Sequence, residues 1–135
     1  MRVSLFLLVF LVAIKSSGQV CEYSTEAPRA PFRGHELLSL KHPAVSAIDG
    51  IVVDGSGAPV ADATVILSKA EKMDWTFIGG AYTDQKGRFC FGAPPDGKYR
   101  IEFGGPGFNS VEVFVTVSRR VIGSKKLKID LPVGT

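Results

Sequence analysis

Val111, Val113, Val115 and Val117 occupy every second position of the segment VEVFVTV, with Glu112, Phe114 and Thr116 between them. Successive side chains of an extended chain point to opposite sides, so this spacing makes a strand with one apolar face and one mixed face. The same period recurs at Ile48, Gly50 and Val52, at Ala63, Val65 and Leu67, at Phe89 and Phe91, at Tyr99, Ile101 and Phe103, and at Leu127, Ile129 and Leu131. Trp75 to Thr83 reads as a further strand, weakened by Gly79-Gly80. Turn formers separate these segments: Asp54-Gly55-Ser56-Gly57, Pro59, Thr83-Asp84-Gln85-Lys86-Gly87, Pro94-Pro95-Asp96-Gly97 and Gly104-Gly105-Pro106-Gly107. No window carries a sustained helical period. The pattern predicts seven short strands closing as a sandwich or barrel. At 135 residues, with 21% charged and 45% hydrophobic, the chain has room for one globular domain.

Two other segments lie outside that pattern. Met1-Arg2 followed by the apolar run Leu5 to Ile14, and then by Ser16-Ser17-Gly18, is the layout of an export signal. The run is too short to span a bilayer, which takes about 20 apolar residues. Cleavage after Gly18 leaves 117 of the 135 residues and removes Arg2 and Lys15, so the formal charge falls from +3 to +1. Residues 19–46 have no clean period and contain Pro28, Pro31, Pro43 and Gly34. They read as an extended arm with a small apolar patch at Leu37, Leu38 and Leu40. The expected organisation is a leader over 1–18, an arm over 19–46 and the sandwich over 47–135. A secreted or periplasmic location follows from the leader, with no membrane span once it is removed.

Export exposes the two cysteines, Cys21 and Cys90, to an oxidising compartment, where a disulfide between arm and sandwich is expected; two free thiols are the alternative. The alternation turns Ile51, Val53, Ile66, Cys90 and Phe114 outward. Such a set needs a cover. Either a partner docks there, or the arm lays its leucines across it, pinned by the Cys21–Cys90 bond. The arm is the preferred cover.

Four motifs carry a resemblance. Gly50-Ile51-Val52-Val53-Asp54 with Gly57-Ala58-Pro59-Val60 and Ala63-Thr64-Val65 resembles the opening of the carboxypeptidase regulatory-like domain. Thr83-Asp84-Gln85-Lys86-Gly87-Arg88-Phe89 is similar to its central turn and strand. Pro95-Asp96-Gly97-Lys98-Tyr99, followed by Gly107-Phe108, is similar to its later hairpin and loop. The resemblance runs from about Ala47 to Leu131. It implies an all-β, seven-stranded Greek-key sandwich like that of transthyretin, preceded here by the arm. It also implies an accessory or binding role without catalysis, since the family accompanies metallocarboxypeptidase catalytic domains and outer-membrane receptors, and no such domain follows Val133-Gly134-Thr135.

The residues themselves point away from catalysis. His35 and His42 are the only histidines, and their spacing of seven fits no compact metal-ligand motif. Hydroxyisourate hydrolase, the enzymatic relative of transthyretin, would need histidines in a core cavity and a Tyr-Arg-Gly-Ser tail, both missing from this sequence. Ser56 sits in a turn without a nucleophile elbow. Cys90 has no histidine near it in sequence. The basic run Arg119, Arg120, Lys125, Lys126 and Lys128 reads as a solvated hairpin guarding a strand edge, and the low net charge of the exported chain argues against nucleic acid as a partner. No cofactor is called for.

The leading expectation is therefore an exported, non-catalytic module that binds a protein or envelope partner. The alternative is a carbohydrate- or small-ligand-binding module using Trp75 and neighbouring loops. The candidate binding surface comprises Trp75, Phe77, Tyr82, Phe108, Ile51, Val53 and Phe114. Trp75 and Phe77 are also readable as filler for one end of the sandwich, and that reading is preferred. Partner identity and oligomeric state stay open.

Overall fold

A computed structural model describes residues 21–26, 38–41, 44–123 and 126–134. The apolar run of the leader, Leu37, His35, His42 and Lys125 lie outside the described residues. The strands are β1 (Leu38–Lys41), β2 (Ile48–Val53), β3 (Thr64–Glu71), β4 (Asp74–Tyr82), β5 (Arg88–Gly92), β6 (Gly97–Gly104), β7 (Val111–Val117) and β8 (Leu127–Asp130). β2 to β8 are the seven strands that the alternation predicts. They form a five-stranded sheet, β1-β7-β6-β3-β4, and a three-stranded sheet, β5-β2-β8. The described residues contain no helix, and so none long and apolar enough to cross a membrane.

The core lies between the sheets. Val65 and Leu67 of β3, Tyr99, Ile101 and Phe103 of β6 and the four alternate valines of β7 face Ile48 and Val52 of β2, Phe89 and Phe91 of β5 and Leu127 and Ile129 of β8. Every inward position read from the alternation is buried. Each of these side chains contributes roughly 1.5–3 kcal/mol on burial. Phe89 and Phe103 meet edge to face across the two sheets, with ring centroids 5.1 Å apart. The Tyr99 hydroxyl reaches the end of the core and donates to the Pro95 carbonyl at 2.6 Å. Burial, reinforced by the negative charge of Asp96, pushes its phenol above the usual range.

Two turns at one end are copies of a single device. In Asp54 to Ala58, the Asp54 carboxylate accepts the amides of Ser56 and Ala58 at 2.9 and 3.0 Å, and the Ser56 hydroxyl at 2.6 Å. In Asp84 to Arg88, the Asp84 carboxylate accepts the amides of Lys86 and Arg88 at 2.9 and 2.8 Å, and the Arg88 guanidinium at 2.8 Å. In each, the fourth residue is a glycine at positive φ, 85° at Gly57 and 74° at Gly87. The turns are joined where the Val52 amide donates to the Gly87 carbonyl at 2.7 Å. Hydrogen bonds from Ser56 hold the Asp54 carboxyl below its ordinary value. Partial burial works against ionisation at Asp84, but the hydrogen bonds and charge of Arg88, with the Lys86 amide, outweigh it and lower that carboxyl too.

The arm departs from the expected course. Leu38–Lys41 is not laid across a face; its backbone pairs in parallel with β7 as an eighth strand at the sheet edge. Val45 continues this path, bridging Val117 and entering the core. The start of the arm seals the other edge. Cys21 is disulfide-bonded to Cys90 of β5, with Cα atoms 5.0 Å apart. Ser24 exchanges two backbone hydrogen bonds of 2.8 Å with Gly80 of β4. Tyr23 packs on Phe91 at 5.3 Å between centroids and rests on Gly79, where any Cβ would collide with its ring. Gly79-Gly80, which weakens β4 as a strand on propensity, is thus the seat of the arm. Residues 21–26 tie the edge of one sheet to the edge of the other.

Because Cys21 and Cys90 are 69 residues apart, cutting their bond releases a large loop. Cys90→Ser is expected to cost about 3–5 kcal/mol, lower the melting temperature and speed amide exchange at Gly80; unaltered Gly80 protection would show that the strap holds without its covalent end. A second expectation concerns acid. Asp84 is lowered in the folded state, so its contribution is present above the ordinary value of 3.8 and fades as pH falls through the lowered one. Urea melts between pH 2 and pH 6 (a range of about 4 units) should show less acid sensitivity in Asp84→Asn than in the native chain.

Candidate functional site

Alternation tells inside from outside but not which sheet a residue belongs to, and this decides how the outward residues group. Ile51 and Cys90 lie on the outer face of the three-stranded sheet, with Ile51 between Arg88 and Lys128 in register. Ile66 and Phe114 lie on the outer face of the five-stranded sheet, on the opposite side of the molecule. The expected single outward patch is therefore two separate surfaces. Val53 leaves the set altogether: it is only 4% exposed, because Pro59 folds back to bridge it on one side while β8 pairs with it on the other.

The five-stranded sheet gathers the aromatic candidates. Trp75 and Phe77 of β4 and Phe114 of β7 share its outer face with Ile66, and all four are half-buried. Trp75 does not fill the end of the sandwich; it crosses the sheet surface to reach Phe114, with centroids 5.7 Å apart. Arg100 of β6, opposite Phe114 in register, adjoins the pair, its guanidinium carbon 5.0 Å from the centre of the Trp75 ring. Glu102 and Glu112 are directly opposed across β6 and β7, a pairing of like charges that costs stability. Arg100 offsets it, with Nη2 at 3.1 Å from Glu102 and Nε at 3.6 Å from Glu112. Its Nε is buried without a hydrogen bond. The result is an aromatic–cation–acid cluster fixed on a rigid sheet. Arg100 was not among the sequence candidates; its parity with Phe114 on neighbouring strands was the available signal, but the register that joins them was not readable.

Tyr82 and Phe108 are placed elsewhere. Tyr82 is exposed at the far end of β4 from Trp75. Phe108 sits in the loop between β6 and β7, bridges Val133 and packs against the core as a plug for the end of the sandwich opposite Trp75, the same end as Tyr82.

A cleft in the molecule was not anticipated. A cleft of about 420 Å³ opens between β4 and the β5–β6 loop, walled by Tyr23, Phe91, Ile78 and Pro94, with Lys69, Glu71 and Tyr99 at its polar side. The Lys69 ammonium lies 5.8 Å from the centre of the Tyr99 ring. One wall is Tyr23, delivered from the arm across a long sequence separation, so no local pattern could have foretold it. Among the described residues, no three His, Cys, Asp or Glu side chains are grouped to hold a metal ion.

Residues 47–131 match the family model described as the carboxypeptidase regulatory-like domain. No curated protein matches the sequence. Among solved structures, the fold is similar to transthyretin from Sparus aurata, with a TM-score of 0.51 and 20% identity over 66% of this chain and 89% of that one. A 3-chlorocatechol 1,2-dioxygenase from Rhodococcus opacus 1CP aligns with a TM-score of 0.46 and 16% identity, over 84% of this chain and 74% of that one. The first likeness shows a transthyretin-like fold and nothing of activity; the second carries no argument.

Removing the cation should unsettle the whole cluster. Arg100→Met is expected to lower stability by roughly 2 kcal/mol and to raise acrylamide quenching of Trp75, the only tryptophan. Adding Glu112→Gln should recover part of the stability, and a double variant no more stable than the single one would refute the charge argument.

Proposed function

The chain belongs to the carboxypeptidase regulatory-like domain family, and from that premise we propose that it is a non-catalytic, exported module that holds a protein or cell-envelope partner. Residues 1–18 are its leader, and the mature protein works in a secreted or periplasmic setting. The Cys21–Cys90 disulfide supports this location, since such bonds persist outside the reducing cytosol.

The observation that carries the reading is the outer face of the five-stranded sheet. Trp75, Phe77, Ile66 and Phe114 remain half-exposed there around Arg100. Tryptophan, other aromatics and arginine are the residues that dominate the energetic centres of protein interfaces. A flat, rigid sheet surface suits a protein partner better than a small molecule, which needs concavity. The test is cross-linking of the mature protein in its own envelope fraction, with Phe77→Ala and Trp75→Ala compared against the native chain. A partner captured by the native protein and lost at least tenfold in both variants (about 1.4 kcal/mol) supports the reading. A partner retained by both would move binding away from this face.

A second reading, a carbohydrate or small-ligand module, is favoured by the cleft rather than by Trp75. One face of the indole is already occupied by Arg100, which leaves it poorly suited as a stacking platform. The cleft, by contrast, offers Tyr23 and Phe91 beside Lys69 and Glu71. A glycan array separates the two: a specific hit abolished by Tyr23→Ala and untouched by Trp75→Ala would favour the second.

A further inference from the structure

The end of the sandwich that carries the β3–β4 hairpin and the β7–β8 loop combines two features that the sheet-face reading does not use. The pairings Glu71 with Asp74 and Gly97 with Val117 bring both connections to the same end. Met73 at the hairpin tip and Ile122 in the loop are 101% and 97% exposed, the most exposed large apolar side chains among the described residues. Both stand on built turns. Lys72 takes a left-handed conformation, φ 53°, beside Met73. The Ile122 loop is anchored at its base, where Ser118 donates its amide to the Val45 carbonyl at 2.9 Å and Arg119 donates its amide to the Asp96 carboxylate at 3.0 Å.

Cations flank both tips: Lys72 beside Met73, and Arg119, Arg120 and Lys126 around Ile122, all exposed. No ion pair among the described residues engages any of these four. The acids at this end are Glu71, Asp74, Asp96 and Asp49, the last at the start of β2 one step before the Gly50–Leu127 pairing. The first three are turned to local bonds, accepting the Thr76 hydroxyl, the Trp75 amide and the Arg119 amide respectively.

We propose that this end docks on an anionic phospholipid surface, with Ile122 and Met73 entering the headgroup–acyl boundary and Arg119, Arg120, Lys72 and Lys126 held over the lipid phosphates. Charge complementarity selects the sign of the partner, since basic residues next to an anionic bilayer are attracted within a Debye length of it. The bare apolar tips select a bilayer over a dissolved polyanion: a fully exposed isoleucine and methionine gain nothing from phosphates in water, but gain burial at the boundary of an acyl layer. The proposal goes beyond the partner reading above, and it uses neither the sheet face nor the cleft.

The test is co-sedimentation of the purified, disulfide-intact protein with phosphatidylcholine vesicles and with mixed phosphatidylcholine–phosphatidylglycerol vesicles. Binding to the mixed vesicles is expected to be about tenfold stronger or more, and to weaken with salt. Arg119→Glu with Arg120→Glu should abolish it. Ile122→Ser and Met73→Ser, which leave the charge unchanged, should each weaken it several-fold, with thermal melts showing the fold intact. Trp75→Ala should sediment like the native chain, so that a failure of the sheet-face reading and a failure of this one are told apart. The proposal is overturned by equal binding to both vesicles, by no sedimentation, or by serine variants that bind as the native chain does. That last result, with full competition by dissolved heparin, would mark a simple site for polyanions.

Discussion

A strand that is apolar on one side only has to bury that side, and four such strands side by side make a sheet that cannot exist alone in water. The valines of β7, with Tyr99, Ile101 and Phe103 of β6, create that demand, and Ile48, Val52, Phe89, Phe91, Leu127 and Ile129 answer it from the other sheet. All else is arranged around this face-to-face contact. Loops only have to return the chain between layers, so they are free to be glycine- and aspartate-rich, and the outer faces are free to vary. The two outer faces have diverged accordingly. One surrounds Ile51 with Arg88 and Lys128; the other carries aromatic side chains around a single guanidinium.

A two-layer sandwich leaves its sheet edges open, and open edges invite pairing with other chains. The arm answers this at both ends of the larger sheet. β1 covers the β7 edge by backbone pairing, while Ser24 covers part of the β4 edge. The new outer edge is only four residues long, which discourages further strand addition. Faces, loops and the cleft are what this capping leaves accessible.

Much of this was legible in the chain itself. Side-chain parity marks the inside of each strand, because burial acts on alternate residues whatever their neighbours are. It therefore located Val65 or Ile101 correctly without any knowledge of pairing. The turn at Asp84 was equally plain, since its carboxylate bonds within five residues. Three things were not readable. The division of the outward residues between two faces depends on which strand joins which sheet, as Ile51 and Phe114 show. The burial of Val53 depends on a bridge to Pro59 that alternation ignores. The role of Arg100 depends on register across β3, β6 and β7 together. Each is a matter of long-range pairing, which leaves no local trace. The edge strand at Leu38 was hidden for the same reason, having a partner 73 residues away at Val111.

The strap formed by residues 21–26 carries a consequence for the order of events during biogenesis. Its anchors are Gly80 and Cys90, and β1 waits on β7. A chain emerging from its N-terminus therefore presents this segment before either of its seats exists. The Cys21–Cys90 bond cannot close until the chain has been delivered as far as β5, 69 residues on. The covalent tie therefore spans strands β2 to β4 only after all three have been delivered, and it takes no part in their pairing before then.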